Sequence, residues 1–240
     1  MAHIKTSKGR LVFKQHLLYP GCHVINRDVA FENLQLINEV LSGESLFWQV
    51  CWGTLIGVVR DHDFIKWDED VDIVILEEEE EKFKDILWKL KEKGFDLIRY
   101  ERGGLYSISR KGEYTDFYVL RKASNEIRYI LDGGGYLLEK QIRDTIEIDF
   151  KGLRISIPRE YDALLTFYYG DWRTPKQYYF TNMSFAKRFK IKMNYYSRLY
   201  LPNFIYYRIL KKHRIADLEE FVKKVKNHGI QLHESPQIDI

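Results

Sequence analysis

Residues 68–76 read Asp68-Glu69-Asp70-Val71-Asp72-Ile73-Val74-Ile75-Leu76, an alternation of acids that runs straight into an unbroken apolar stretch. Side chains at i, i+2 and i+4 of a strand point the same way. Asp70 and Asp72 therefore project together from the start of a buried strand. Two carboxylates held that close repel each other, and burying them is costly. A divalent cation relieves both penalties. Hard oxygen ligands suit Mg²⁺ or Mn²⁺, which bind through one or two carboxylates plus substrate phosphates. A solvated acidic turn is the competing reading of the same residues, and the flanking sequence decides between them.

Upstream, a short apolar strand is predicted over Leu46–Trp52, and Gly53-Thr54-Leu55-Ile56-Gly57-Val58-Val59-Arg60 opens a short helix. A glycine at a helix start lets the backbone approach a phosphate, and the first turn offers free N–H groups. Arg60 adds a guanidinium that can grip phosphate bidentately. Gly53 also has a plain alternative, as the residue that ends the strand. Downstream, a third acid near the metal is expected on a neighbouring strand. Asp116 interrupts the apolar run around Phe117, Tyr118 and Val119 and fits that place; a strand-edge aspartate is the alternative.

The remaining pattern gives an α+β fold, a mixed or mostly antiparallel sheet with helices packed on it. Asn26-Arg27-Asp28 precedes a helical face of Val29, Leu36, Ile37, Val40 and Leu41, with Gly43 at its end. Glu77 to Lys93 is amphipathic, burying Phe83, Ile86, Leu87 and Leu90. Its opening glutamates suit the positive end of the helix dipole and its lysines the negative end. Leu105–Arg110 and Tyr114–Leu120 flank Lys111-Gly112-Glu113 as a hairpin. Ile127–Leu131, Thr145–Phe150 and Leu153–Ile157 are further strands, with Lys151-Gly152 as a tight turn. Gly133-Gly134-Gly135 lacks the spacing of a phosphate loop and reads as a flexible connection. Pro158 is expected to start a helix that ends at Gly170.

At 240 residues the chain holds one large domain, or one domain with an appendage. A net charge of +3 is too small for bulk nucleic-acid binding. Cys22 and Cys51 form no zinc or disulfide pattern, and Cys51 sits in an apolar run as core filler. No apolar run is long enough for a membrane span and no signal-peptide core is present, so a reducing cytoplasm is the expected location. From Trp172 to Ala216 there is no acidic residue, while basic and aromatic residues interleave. That region is either a surface for anionic lipid or a helical cap with a solvated basic face. Leu218–Asn227 is predicted as a last helix with Asp217 as its N-cap.

Gly53 to Ile73, GTLIGVVRDHDFIKWDEDVDI, resembles the signature of the LicD and fukutin-related family. Two later blocks agree in order: Asp116-Phe117, and Ile157-Pro158 through Tyr169-Gly170-Asp171-Trp172-Arg173-Thr174-Pro175. The resemblance spans roughly residues 30–176, and three ordered blocks are more specific than any one. Asp63 stands where the family usually has glycine, and Lys66 where it has proline. The resemblance implies a nucleotidyltransferase-like mixed sheet flanked by helices as a catalytic domain over 1–176, with a helical basic and aromatic extension over 177–240. It implies that Asp70, Asp72 and Asp116 hold Mg²⁺ or Mn²⁺ and carry catalysis. Gly53, Thr54, Arg60, Lys66 and Asp68 would serve the donor, Asp68 as a ligand or a nearby acid. The implied reaction moves a phospho-alcohol (phosphocholine, glycerol phosphate or ribitol phosphate) from a CDP-linked donor to a glycan or lipid-linked glycan hydroxyl, releasing CMP. Residues 185–214 would provide any peripheral membrane contact. A nucleotidyltransferase releasing pyrophosphate, a CMP-phosphonate-dependent transferase and a non-catalytic glycan-binding member are the alternatives. Asp171 and Trp172 read either as a lock between helix and sheet or as substrate contacts.

Overall fold

The computed structural model describes residues 1–18, 23–131, 135–176 and 184–238, apart from the side chains of residues 187 and 188. Cys22, Gly133 and Gly134, and the side chains of Lys187 and Arg188, lie outside the described residues. A hairpin of β1 (Ala2–Thr6) and β2 (Gly9–Phe13) comes first. It was not visible as a pattern, because its burial is confined to Ile4, Leu11 and Phe13. Helix α1 (Arg27–Gly43) starts where expected: the Asn26 side chain accepts from the Val29 N–H at 3.3 Å. Its Leu34, Ile37 and Leu41 are wholly buried.

The central sheet runs β3 (Trp48–Val50), β4 (Val71–Leu76), β7 (Glu113–Lys122), β6 (Leu105–Arg110), β5 (Asp96–Glu101) in spatial order. Only β4 and β7 pair in parallel; the other neighbours on this path are antiparallel. The far end of β7 bends out to pair with β8 (Ile127–Tyr129), which pairs with β9 (Tyr136–Leu138). Lys111 and Gly112 both take positive φ, as do Lys151 and Gly152 between β10 (Thr145–Phe150) and β11 (Leu153–Pro158). These are the mirror-image turns that match strand twist. The predicted strand Leu46–Trp52 contracts to Trp48–Val50, because Trp52 already opens α2 (Trp52–Ile56).

Helix α3 (Glu80–Glu92) covers one face of the sheet, with Phe83 set 4.7 Å from Phe117 of β7. The turn before it, Glu77–Glu79, is 3₁₀. Its glutamates have specific partners beyond the helix dipole. Glu77 and Glu78 pair with Arg121 and Arg128, Glu79 accepts the Phe47 N–H, and buried Glu80 accepts the Tyr106 hydroxyl at 2.7 Å. A short helix α4 (Glu139–Arg143) links β9 to β10.

Pro158 does not start a helix. It is the last residue of β11, paired with Thr145, and α5 (Tyr161–Tyr169) begins only after Arg159 and Glu160. A strand terminus tolerates the missing N–H as well as a helix start does. Asp217 is not a cap either. After α6 (Phe185–Tyr200), α7 (Asn203–Asn227) begins behind Pro202 and runs straight through Asp217, which accepts from Arg214 at 2.6 Å. Leu218, Phe221 and Val225 of α7 pack on Tyr129, Tyr136 and Leu138 of β8 and β9 in a second apolar cluster.

Candidate active site

In the β4–β7 ladder Asp72 lies directly opposite Asp116. Asp70 precedes β4 by one residue and shares the face of Asp72. One carboxylate oxygen from each of Asp70, Asp72 and Asp116 lies within 4.8 Å of the others. The same rung continues across the sheet, since Asp116 faces Ser107 of β6, and Ser107 faces Arg99 of β5. Arg99 donates Nε to Ser107 Oγ at 2.8 Å and Nη2 to Asp116 Oδ2. Asp116 Oδ1 is buried with no protein partner.

Burial raises the pKa of Asp70 well above the usual carboxylate range, and the neighbouring Asp72, Asp116 and Asp68 push it further. Asp72 is raised in the same way, by burial first and then by Asp116 and Asp68. Burial alone would lower the Arg99 guanidinium, but Asp116 and Glu101 outweigh it and raise its pKa. The rung is thus an acid cluster with a cation behind one member.

Thr54 is fully buried, and its hydroxyl accepts the Asp72 N–H at 2.8 Å. It fixes β4 from the side of α2 and is committed to protein. Gly53 abuts Asp68: a Cβ at residue 53 would stand 2.5 Å from Asp68 Oδ2. Burial raises the Asp68 carboxyl. Just before Gly53, Trp52 holds a φ of 50°, a left-handed conformation that strains a bulky residue. Arg60 grips Asp61 at 2.7 and 2.8 Å and the Trp172 carbonyl at 3.0 Å. Gly53, Arg60 and Asp68 line one cleft of about 210 Å³ together with Trp67, Tyr169, Trp172 and Lys176. Lys66 is exposed in the preceding loop and does not line it.

Three residues here carry no sequence signal of their own. Arg99 and Ser107 reach the acids only through register. Tyr118, two residues past Asp116, turns its hydroxyl toward the Asp72 and Asp116 carboxylates, and burial and then Asp72 raise its pKa well above normal. On the far side of Tyr118 lies a second cavity of about 520 Å³. Trp52, Tyr168 and Phe221 line it, as do Asp217, Glu220 and Lys224 of α7. Tyr168 Oη is buried there without a partner. In the glycine-aspartate-tryptophan segment, Asp171 accepts the Thr174 N–H at 3.2 Å and so builds its own turn. Trp172 is buried against the cleft, and its Nε1 has no partner. Asp63 bridges Arg27 and Lys151, at 2.8 and 2.9 Å, which pins the loop ahead of β4.

Residues 47–160 match the family model described as LicD/FKTN/FKRP, nucleotidyltransferase domain. The chain carries a LicD-family domain. The matched segment runs from β3 to the end of β11 and contains Asp70, Asp72, Asp116, Thr54 and Arg99. The mixed sheet is therefore the sheet of a nucleotidyltransferase domain flanked by helices. The uncharacterized protein RP689 of Rickettsia prowazekii (strain Madrid E) is 32% identical over 92 residues, 38% of this chain and 33% of that protein. The uncharacterized protein RT0683 of Rickettsia typhi (strain ATCC VR-144 / Wilmington) is 30% identical over 94 residues, 39% and 29% of the two. The match thus spans about a third of the length of these curated relatives. Among solved structures, lincosamide antibiotic adenylyltransferase LnuA with lincomycin bound aligns at a TM-score of 0.38 and 15% identity, over 67% of this chain and 93% of that one. The antibiotic-resistance factor ANT(2'')-Ia aligns at a TM-score of 0.44 and 14% identity, over 85% and 98%.

Proposed function

We propose that the chain transfers a phospho-alcohol, such as phosphocholine, glycerol phosphate or ribitol phosphate, from a CDP-linked donor to a glycan hydroxyl and releases CMP. The observation that carries this reading is the convergence of Asp70, Asp72 and Asp116 within 4.8 Å inside the LicD-family segment. The donor set is all carboxylate oxygen, and the buried, unpartnered Asp116 Oδ1 is the atom a hard cation would satisfy. The residues present therefore fit Mg²⁺ or Mn²⁺, held by Asp70, Asp72 and Asp116. When bound, the cation supplies positive charge to the donor's diphosphate.

The chain's own residues do the positioning. Thr54 fixes the backbone of Asp72, Arg99 fixes the carboxylate of Asp116, and Gly53 leaves room beside Asp68. The cleft suits the donor, because Lys176 can meet phosphate, Arg60 stands at its wall held by Asp61 and the Trp172 carbonyl, and the Trp67 and Trp172 rings offer flat surfaces to a base. The cavity beyond Tyr118 suits the acceptor, since Asp217 and Glu220 can accept from sugar hydroxyls. The acceptor oxygen bonds to the outer phosphorus, the bond from that phosphorus to the bridging oxygen breaks, and CMP departs with the electron pair. The hydroxyl proton is lost to solvent or to a carboxylate of the cluster. Such a reaction is accelerated mainly by placement and charge. The test is incubation of the chain with CDP-choline, CDP-glycerol and CDP-ribitol, Mg²⁺ and a panel of glycan acceptors. CMP release that requires both acceptor and Mg²⁺ is expected. Pyrophosphate release from CTP in its place would make the chain a nucleotidyltransferase.

A further inference from the structure

Helix α6 has two apolar faces, and the described residues cover only one. On the covered face Tyr195 is buried and donates its hydroxyl to the His16 carbonyl at 2.7 Å. Arg102 clamps the end of the helix by donating to the carbonyls of Arg198 and Leu201, and Arg198 reaches buried Glu101 at 3.1 Å. On the other face stand Phe185, Phe189, Met193, Tyr196 and Tyr200, exposed by 85, 57, 52, 39 and 77%. Steps of three or four residues keep these five on one side of the helix. The stripe runs the whole length of α6, about 22 Å at 1.5 Å per residue. Contiguous exposed apolar surface of this kind marks an interaction site.

Charge says which partner. Lys190 and Lys192 are exposed beside the stripe, and no acid occurs anywhere from residue 172 to 216. A second copy of the chain would bring two basic faces together, which like-charge repulsion opposes. An anionic bilayer accepts both features at once. Aromatic side chains settle at the headgroup boundary while lysines meet the lipid phosphates. Among the described residues no helix is long and apolar enough to cross a membrane, so the contact would lie in the plane of the surface. We propose that α6 is an interfacial helix that docks the chain on anionic lipid through the Phe185–Tyr200 stripe. This goes beyond the transfer reaction and does not depend on it.

The test is flotation of the full chain with vesicles of phosphatidylcholine alone and of equimolar phosphatidylcholine and phosphatidylglycerol. At low salt the chain should float with the anionic vesicles, at least about tenfold more than with neutral ones, and high salt should weaken the binding. The combined variant Phe185→Glu, Phe189→Glu and Met193→Glu should lose flotation while melting like the parent and keeping its CMP release toward a water-soluble acceptor. Phe185→Asp alone, at the most exposed position of the stripe, should lose part of it. Three results would each overturn the proposal: no flotation with anionic vesicles at low salt, equal flotation with neutral vesicles, or a combined variant that floats like the parent. A fourth would be a dimer by light scattering that the combined variant converts to monomer, which would assign the stripe to a second copy. Because flotation needs no substrate, its failure is distinct from failure of the transfer assay.

Discussion

The Arg99 guanidinium holds Asp116 by Oδ2 and leaves Oδ1 free and buried. That bond fixes how the Asp116 carboxylate is turned within the cluster of Asp70, Asp72 and Asp116. Outer partners of metal-binding carboxylates usually contribute about 10- to 100-fold in metal affinity or activity. Arg99→Lys keeps the charge but loses the forked geometry that serves Ser107 and Asp116 together. It should weaken Mg²⁺ binding by about that factor and lower CMP release in parallel. Parent-like Mg²⁺ affinity in a calorimetric titration of this variant would reduce Arg99 to a structural role. Arg99→Met is the harsher change: it strands Asp116 as an unpaired buried charge and should cost about 3–5 kcal/mol of stability.

The acid cluster should make the cation-free chain less stable at neutral pH than in mild acid, as far as this site is concerned. Asp70 and Asp72 have pKa values raised above the ordinary 3.8 in the folded state. The native state then holds their protons more tightly than the unfolded state does. Its advantage is complete below the ordinary value and is lost as pH rises from there through the raised folded values. Asp72→Asn removes one of the repelling charges, so in EDTA at about pH 7 it should melt above the parent. The same variant should gain no melting temperature from Mg²⁺ and should lose CMP release by about a hundredfold or more. An equal Mg²⁺-induced gain in parent and variant would remove Asp72 from the ligand set.

Gly53 and Thr54 should separate into a spatial and a structural role. Gly53→Ala pushes a methyl against Asp68 Oδ2, the far end of a side chain that can swing aside. Melting should change little while transfer falls, with the loss expressed mainly as a higher KM for the donor. Thr54→Val leaves the buried Asp72 N–H without an acceptor and should cost about 1–3 kcal/mol, whereas Thr54→Ser restores the bond and most of the stability. A Thr54→Val variant as stable as the parent would mean that the Asp72 N–H finds another acceptor.

Legibility in the sequence followed from how local each signal is. The spacing of Asp70 and Asp72 put two carboxylates on one strand face, and an aspartate inside the Phe117-Tyr118-Val119 run marked the partner strand. Those readings need only period-two geometry. The pairing of Asp72 with Asp116, however, is a register between strands more than 40 positions apart. Arg99 and Ser107 reach the cluster through two further registers, and nothing near either residue announces it. Thr54 drew attention as a phosphate contact, but its hydroxyl is spent on a backbone N–H, a distinction that depends on where α2 packs. The basic and aromatic region reads either as a lipid surface or as a helical cap with tyrosines in the core, and the structure buries some of its rings and exposes others. Tyr195 and Tyr206 are buried while Phe185 and Phe189 face outward, because the helical period deals successive rings to opposite sides. Pro158 and Asp217 misled because each is a permissive signal: proline suits a strand end as well as a helix start, and an aspartate can sit mid-helix.

The wholly buried Arg128 offers a pH dependence of the opposite sign. It donates to Glu78 at 2.7 and 2.8 Å and to the Leu120 carbonyl at 3.1 Å, and it also pairs with Glu139. The bond from Arg128 holds the Glu78 carboxyl far below its ordinary 4.5. A depressed folded pKa contributes stability that is complete above the unfolded value and is lost as pH falls through the folded one. Glu78 remains partly in solvent, its side chain 42% exposed, so the contribution is screened. Glu139 also still compensates Arg128 when Glu78 is neutralised. Glu78→Gln should therefore cost only about 1 kcal/mol near neutrality. The difference from the parent should shrink as pH drops below about 4.5, where Glu78 of the unfolded parent begins to take up a proton while the folded one stays ionised. Arg128→Met removes the shared cation and leaves Glu78 and Glu139 facing each other, so it should cost more than Glu78→Gln at every pH above that window. Urea melts of parent and both variants across the acid range test the order. A Glu78→Gln penalty that grows on acidification would contradict the assignment of Arg128 as the group that holds Glu78 ionised.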